Sequence, residues 1–380
     1  MAYDVAFEFA MRRANELSLL GLGLSSPNPI VGAVILDDNN QIIGEGFHQR
    51  GKSGVAGAHA EINALNAAKD RARGATLVVT LEPCNHHGKT PPCTDAIIAA
   101  GITRVIFAVE DPHQIAQGGA QRLKSAGIEV VAGILSEEVA FSNRAWLNKI
   151  STKKTFVIAK IAATLDGFGA AADGTSKWIT SKPAREDVAH LRQQSDAIVT
   201  GTGTVLADDP LLTARVNGLA LPPDQQPIRI ILGQREIPLG AKIRGTEART
   251  EFMRTRDLQS IIDFANAESL NQILLEAGPT LTSAFIAAGL VDELYLYQAP
   301  TLLGAGRTLA GGLKISTLSD RLDFVVNSVS TIGDGRERNI KTHLVSKWVF
   351  DTFISHSAGN IDVRQESKSI LASDHVGIVS

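Results

Sequence analysis

The feature that most constrains the fold is an alternation of apolar, strand-like runs with helical segments, which occurs twice along the chain. In the first stretch, helical patterns over Ala60–Asp70, Thr94–Ala100, Gly118–Ala126 and Ser136–Asn148 are separated by the strand-like runs Thr76–Thr80, Arg104–Val109 and Ile128–Val131. Such alternation predicts a layered α/β domain, its strands buried beneath its helices. Ahead of it, a helix is expected from Asp4, a suitable N-cap, to about Leu20. The runs Ile30–Leu36 and Ile42–Phe47 flank an Asp-Asp-Asn-Asn turn and read as a hairpin.

A polar stretch at Ile150–Lys154 then precedes the apolar run Thr155–Ala163, and a second α/β pattern begins. Its expected strands are Thr155–Ala163, Ala197–Thr200, Ile228–Leu232, Gln272–Glu276 and Glu293–Gln298, with helices near Pro183–Gln194 and Thr280–Ala288. A chain of 380 residues exceeds what one core usually organises, so two domains are expected, 1–150 and 151–347, with 348–380 unassigned. The net charge of −3 leaves no basic excess to neutralise a nucleic-acid backbone. No apolar run approaches the roughly 18–20 residues that cross a bilayer, and the charged N-terminus does not read as a signal peptide. A cytoplasmic, homo-oligomeric protein acting on a small molecule, with no nucleic-acid or membrane partner, is expected.

Only two cysteines occur, Cys84 and Cys93. In a long chain without a secretory signal, such a pair points to metal binding or catalysis before a structural disulfide. His59-Ala60-Glu61 opens a predicted helix, and Pro83-Cys84 follows a predicted strand. One imidazole and two thiolates give a zinc ion three protein ligands and leave a fourth position for water, which is the arrangement of a catalytic site. Glu61 stands two residues from the histidine and is placed to move a proton from that water to a leaving amine. H-x-E followed by P-C is the opening of the zinc-deaminase signature, but the second cysteine comes after eight residues instead of two. The insertion carries His86, His87 and Lys89, and the lysine is suited to a substrate phosphate. Two other readings stay open: a closed structural zinc completed by His86 or His87, and an ordinary surface loop.

The set His59–Glu61, Thr80-Leu-Glu-Pro-Cys84 and His87-Gly-Lys-Thr-Pro-Pro-Cys93 resembles the deaminase half of the bifunctional riboflavin-biosynthesis deaminase/reductase family. The resemblance implies a cytidine-deaminase-like three-layer domain, Glu61 as catalytic residue and His59, Cys84 and Cys93 as zinc ligands. It makes Asn28, His86 and Lys89 substrate contacts. His48 matches a pocket histidine, although ten residues separate it from His59 through an enlarged loop at Lys52–Gly57.

In the second half no G-x-G-x-x-G follows a strand, so a Rossmann dinucleotide site is not supported. Lys160–Gly167, Ser176–Thr180, Thr204–Pro210 and Glu276–Leu281 instead occur in the order of the reductase half of the same family, which implies a dihydrofolate-reductase-like fold. By that resemblance Ala162, Trp178, Thr204, Asp208, Gly278, Pro279 and Thr280 contact NADPH, and Ser176, Arg192, Leu212, Arg215 and Glu276 contact substrate. Arg192 and Arg215 offer forked donors to a ribose phosphate, and Glu276 an acceptor to the pyrimidine. Read singly, each arginine is a solvated surface charge and Trp178 a core residue.

The implied chemistry is deamination of 2,5-diamino-6-ribosylamino-4(3H)-pyrimidinone 5′-phosphate, followed by NADPH-dependent reduction of its ribosyl group to ribityl. A nucleoside or tRNA-base deaminase with an unrelated C-terminal domain, and a zinc-stabilised binding module without turnover, are the competing readings.

Overall fold

The computed structural model describes residues 5–49, 57–86, 91–112 and 118–354. Asp4, His87, Lys89, most of the Lys52–Gly57 loop and the chain after Ile354 lie outside the described residues. Among those described, no helix is long and apolar enough to cross a membrane.

The first unit opens with α1 (Val5–Leu19), then the hairpin β1 (Gly32–Leu36) and β2 (Ile42–Phe47). The chain continues through α2 (Ala60–Ala68), β3 (Thr76–Leu81), α3 (Cys93–Ala100), β4 (Arg104–Val109), α4 (Gly119–Ser125) and β5 (Glu129–Ala132). The strands form one sheet in the order β2-β1-β3-β4-β5, parallel from β3 to β5. Side-chain alternation divides it between two cores. Ala33, Ile35, Leu77 and Val79 pack on α2 and α3, while Val34, Leu36, Val78 and Ile106 pack on α1. This is the three-layer domain that the sequence implied.

The single helix expected over Ser136–Asn148 is instead two, α5 (Ser136–Ser142) and α6 (Arg144–Thr152). Asn143 breaks it because its side chain is engaged elsewhere: Oδ1 accepts from the Ile30 N–H at 3.3 Å and Nδ2 donates to the Ile30 carbonyl at 3.0 Å. Such amide bonds to main chain compete with helix continuation.

The second unit begins with β6 (Phe156–Thr164), β7 (Phe168–Ala171), α7 (Lys182–Gln193), β8 (Ala197–Gly201), α8 (Thr202–Asp208), β9 (Arg215–Val216) and β10 (Leu219–Ala220). It proceeds through β11 (Ile228–Leu232), β12 (Thr250–Met253), α9 (Gln259–Ala267), β13 (Gln272–Leu275), α10 (Pro279–Ala287) and β14 (Glu293–Ala299). It ends with β15 (Gly306–Thr308), β16 (Phe324–Ile332), β17 (Asn339–Ser346) and α11 (Lys347–Phe353). Its main sheet runs β12-β11-β8-β13-β6-β14-β17-β16, with every pairing parallel except β14–β17 and β17–β16, so that β17 alone runs against the rest. Helices α9 and α10 cover one face through Ile261, Ile262, Phe285 and Ile286. Helices α7 and α11 cover the other through Ala184, Val188, Leu191 and Val349. The packed chain therefore extends past Trp348, whose indole N–H donates to Asp292 Oδ1 at 2.9 Å.

Candidate active site

Three backbone features bring the first cluster together. His59 is the N-cap of α2, Cys84 follows β3, and Cys93 is the first residue of α3. The ligand atoms of these three residues all lie within 4.8 Å of one another, and no fourth histidine, cysteine or carboxylate joins them among the described residues. His59 Nδ1 is 3.2 Å from Cys93 Sγ and 3.6 Å from Cys84 Sγ. A tetrahedral zinc with bonds of about 2.0–2.3 Å sets its ligand atoms roughly 3.5–3.8 Å apart, so the donor set fits the ion. The Cys93 N–H donates to Cys84 Sγ at 3.4 Å.

The cluster is electrostatically prepared for a cation. The hydrogen bond from Cys93, followed by that from His59, pulls the Cys84 thiol down to about 4, and that bond holds the proton of Cys93 in turn. Hydrogen bonding to Cys84 raises His59, and burial raises the carboxyl of Glu61, which sits in the first turn of α2. Glu82, also in the TLEPC run, is structural: its carboxylate accepts from the N–H groups of Asp111 at 3.3 Å and Ala120 at 2.8 Å. That holds α4 close under the metal strand, where a Cβ on Gly119 would lie 1.9 Å from the Pro83 carbonyl oxygen.

The family-matched neighbours also converge. Asn28 Nδ2 lies 3.2 Å from His48 Nε2, and the buried His48 ring stands edge-on to His59 at 5.2 Å between centroids. His86 Nδ1 is buried without a hydrogen-bond partner among the described residues. Lys89 falls outside them.

The second cluster gathers at the carboxyl ends of β6, β8 and β13, where ligands of open α/β sheets bind. Thr204 Oγ1 accepts from the Gly278 N–H at 3.2 Å, and Gly278 caps α10, whose first residues are Pro279 and Thr280. A Cβ on Gly169 would lie 3.6 Å from the Ala162 carbonyl oxygen and 3.8 Å from Pro279, so these residues share one wall. The Ser176–Trp178 segment is tied to Asp208 by Lys177, whose Nζ donates to the Asp208 carbonyl at 2.8 Å. Trp178 is 70% exposed, which removes the core reading, and Arg185 lies 4.4 Å over its ring.

Two expectations need correction. Arg192 is not a free fork, because its Nε and Nη2 donate to Glu276 at 2.7 and 2.6 Å. Burial would raise the Glu276 carboxyl, but the charges of Arg192 and Lys160 outweigh it and hold it at about 2. The pair is neutralised internally, whereas Arg215 is exposed. Leu212 is buried in the core with φ +49°, so its side chain is not open to a ligand. Sequence reasoning also missed two features. Lys160 lies 3.4 Å from Glu276. A cavity of about 190 Å³ beside Thr202 is lined by Arg235, Arg244 and Arg254, with the Arg244 guanidinium 4.7 Å over Phe252.

A three-layer unit with a thiolate–imidazole metal cluster and a buried carboxylate, joined to a mixed sheet with a phosphate-compatible glycine cap, defines a zinc-dependent deaminase coupled to a nicotinamide-dependent reductase. Residues 6–109 match the cytidine and deoxycytidylate deaminase zinc-binding region, and residues 155–336 match the RibD C-terminal domain. Riboflavin biosynthesis protein RibD of Mycobacterium tuberculosis is 45% identical over 85% of this chain and 94% of its own length. The Escherichia coli protein of that name is 41% identical over 86% and 96%. Among solved structures, Acinetobacter baumannii RibD superposes with TM-score 0.77 at 36% identity, covering 90% of this chain and 98% of its own. A Thermotoga maritima diaminohydroxyphosphoribosylaminopyrimidine deaminase/5-amino-6-(5-phosphoribosylamino)uracil reductase gives TM-score 0.80 at 34% identity, over 90% and 99%. The chain belongs to the RibD family, bifunctional deaminase/reductases of riboflavin biosynthesis.

Proposed function

We propose that residues 1–150 hydrolytically deaminate 2,5-diamino-6-ribosylamino-4(3H)-pyrimidinone 5′-phosphate and that residues 151–347 reduce its ribosyl group to ribityl with NADPH. The convergence of three metal-type donors beside one buried carboxylate carries the first half. His59, Cys84 and Cys93 hold the zinc, which supplies Lewis-acid activation of water at neutral pH. Glu61 takes the proton of the attacking water and delivers it to the departing C2 amine, so that water adds and ammonia leaves. Its burial supports this role, because a carboxyl whose charged form is disfavoured is a stronger base. Asn28, His86 and Lys89 orient the nucleotide.

In the second half Ala162, Trp178, Thr204, Asp208, Gly278, Pro279 and Thr280 hold the dinucleotide, whose nicotinamide supplies hydride. The basic cavity beyond Thr202 supports NADPH over NADH, since its three arginines suit the additional phosphate of the adenosine ribose. Arg215 meets the substrate phosphate. Ser176, the Leu212 backbone and the Arg192–Glu276 pair line the pyrimidine and ribosyl side. Positioning of nicotinamide against the ring-opened imine at C1′ supplies much of the rate. Exposed Val326 and Val329 on edge strand β16 support self-association, which sedimentation velocity measures.

The test supplies the diaminopyrimidine nucleotide with and without NADPH, following ammonia release and nicotinamide absorbance separately. Cys84→Ser is expected to abolish ammonia release while NADPH oxidation persists once deaminated substrate is supplied, and Arg215→Ala to weaken NADPH oxidation while leaving ammonia release unchanged. Deamination of cytidine or adenosine with no NADPH consumption would overturn the assignment.

A further inference from the structure

The two units meet along a seam, and the seam runs through the loop that carries Asn28. Gly23 packs so closely on the last turn of α7 that a Cβ there would lie 1.9 Å from the Gln193 carbonyl oxygen. Three residues on, the Ser26 hydroxyl donates to Asp196 Oδ2 at 2.8 Å. The same oxygen accepts from the backbone N–H groups of Asn271 and Gln272 at 2.8 and 3.0 Å, which fixes it at the amino ends of β8 and β13. Asn271 Nδ2 reaches back to the Asn28 carbonyl at 3.4 Å, and Asn143 grips both backbone groups of Ile30. The main chain from Gly23 to Ile30 is thus clamped from outside the deaminase sheet. Its Asn28 side chain points to His48, which in turn stands against His59.

The seam holds a cavity of only about 30 Å³ between Ser25, Trp146 and Gln194, room for a water and not for a metabolite. Its polar contacts therefore serve geometry. A ligand contact carried on a loop works only if its support holds it within about 0.5 Å of the productive position. Here two of the three side chains that hydrogen-bond that loop, Asp196 and Asn271, belong to the other catalytic unit, and Asn143 is the third.

We infer that Asp196, a residue of the reductase unit, is a positioning residue of the deaminase, which through Ser26 and Asn271 sets where Asn28 meets the pyrimidine. This rests on the reading of Asn28 as a substrate contact. Asp196 acts at a distance and touches neither the metal cluster nor the nucleotide.

Ser26→Ala is the informative variant, because Asp196 also anchors the reductase's own β13 while the serine contributes only the bond across the seam. In the full chain, the KM for deamination is expected to rise about tenfold, the worth of one charge-assisted hydrogen bond. Zinc content and the constants for NADPH oxidation on deaminated substrate are expected to match the parent protein. Ser26→Thr, which keeps the hydroxyl, should restore KM. In an Asn28→Ala background the Ser26→Ala change should add nothing, because the contact it positions is already gone. A parental KM in Ser26→Ala, with a raised KM in Asn28→Ala, overturns the inference alone. A parental KM in Asn28→Ala removes the reading of Asn28 and the inference with it. Parallel loss of deamination, reduction and zinc would mark Ser26 as general packing and overturn it too.

Discussion

Replacing Arg144 by leucine should destabilise the protein by about 3–5 kcal/mol, the range for stranding one member of a buried ion pair. Glu293, at the start of β14, has no exposed surface. Both its oxygens are engaged by the Arg144 guanidinium, with Nη2 at 2.7 Å from Oε2, and His343 Nε2 lies 3.0 Å from the same oxygen. Burial alone would raise this carboxyl, but the charge of Arg144 and the bond to His343 bring it down from 4.5 to about 2, equivalent to about 3 kcal/mol. Because the folded value is depressed, the stabilisation is complete above the unfolded value near 4.5 and is lost as pH falls toward 2.

Urea unfolding followed by tryptophan fluorescence reads this directly, since Trp146 lies on the same helix as Arg144 and the Trp348 indole donates to Asp292, the residue before Glu293. The loss in Arg144→Leu should be largest at neutral pH and shrink as the pH falls, because the stranded Glu293 carboxyl, left to its burial, takes up a proton and sheds its charge. The double variant Arg144→Leu/Glu293→Leu should recover most of it, because two apolar groups leave no orphaned charge. A loss below about 1 kcal/mol at pH 7, or one that does not diminish in acid, would refute the reasoning.

Three further outcomes follow from the two sites. Glu61→Gln should keep its zinc, measured by atomic absorption, and lose about 10²–10⁴ in deamination rate, because only the proton carrier is removed. Cys84→Ser, or chelation of the parent protein, should remove both metal and deamination while NADPH oxidation on deaminated substrate persists; simultaneous loss of both activities would count against separate sites. Arg235→Ala should weaken NADPH binding about 10–100-fold in a fluorescence titration and leave NADH binding unchanged, the difference being one charge-assisted contact to the extra phosphate.

What the sequence made legible is what lies close together in it. His59 and Glu61 share a helix turn, Cys84 ends a strand and Cys93 starts a helix, so local pattern and spacing were enough to nominate all four. The strands Ile228–Leu232 and Ile42–Phe47 were read to the residue because they are apolar runs bounded by turn residues. β16 and β17 escaped because they alternate apolar with Asn327, Ser328, Ser330, Lys341 and His343, as a sheet edge open to solvent does. The arginine cavity escaped because Arg235, Arg244 and Arg254 are brought together only by the β11–β12 crossover. Arg192 was misjudged because nothing in the sequence says that a carboxylate 84 residues away will occupy its fork.

One short segment explains why fusing two enzymes in this chain has structural consequences. Within five residues, the Arg192 side chain enters the reductase pocket to pair with Glu276, and the Asp196 side chain turns to the deaminase loop at Ser26. The first contact uses the carboxyl end of β13, the second its amino end. Parallel strands rise about 3.3 Å per residue, so the four residues of β13 separate these ends by only about 13 Å. A buried strand fully hydrogen-bonded to β6 and β8 transmits position well because it deforms little. The reductase sheet is therefore also the bench on which the deaminase loop is mounted. Deamination should depend on the integrity of that sheet even in a variant whose reductase chemistry has been weakened at Arg215.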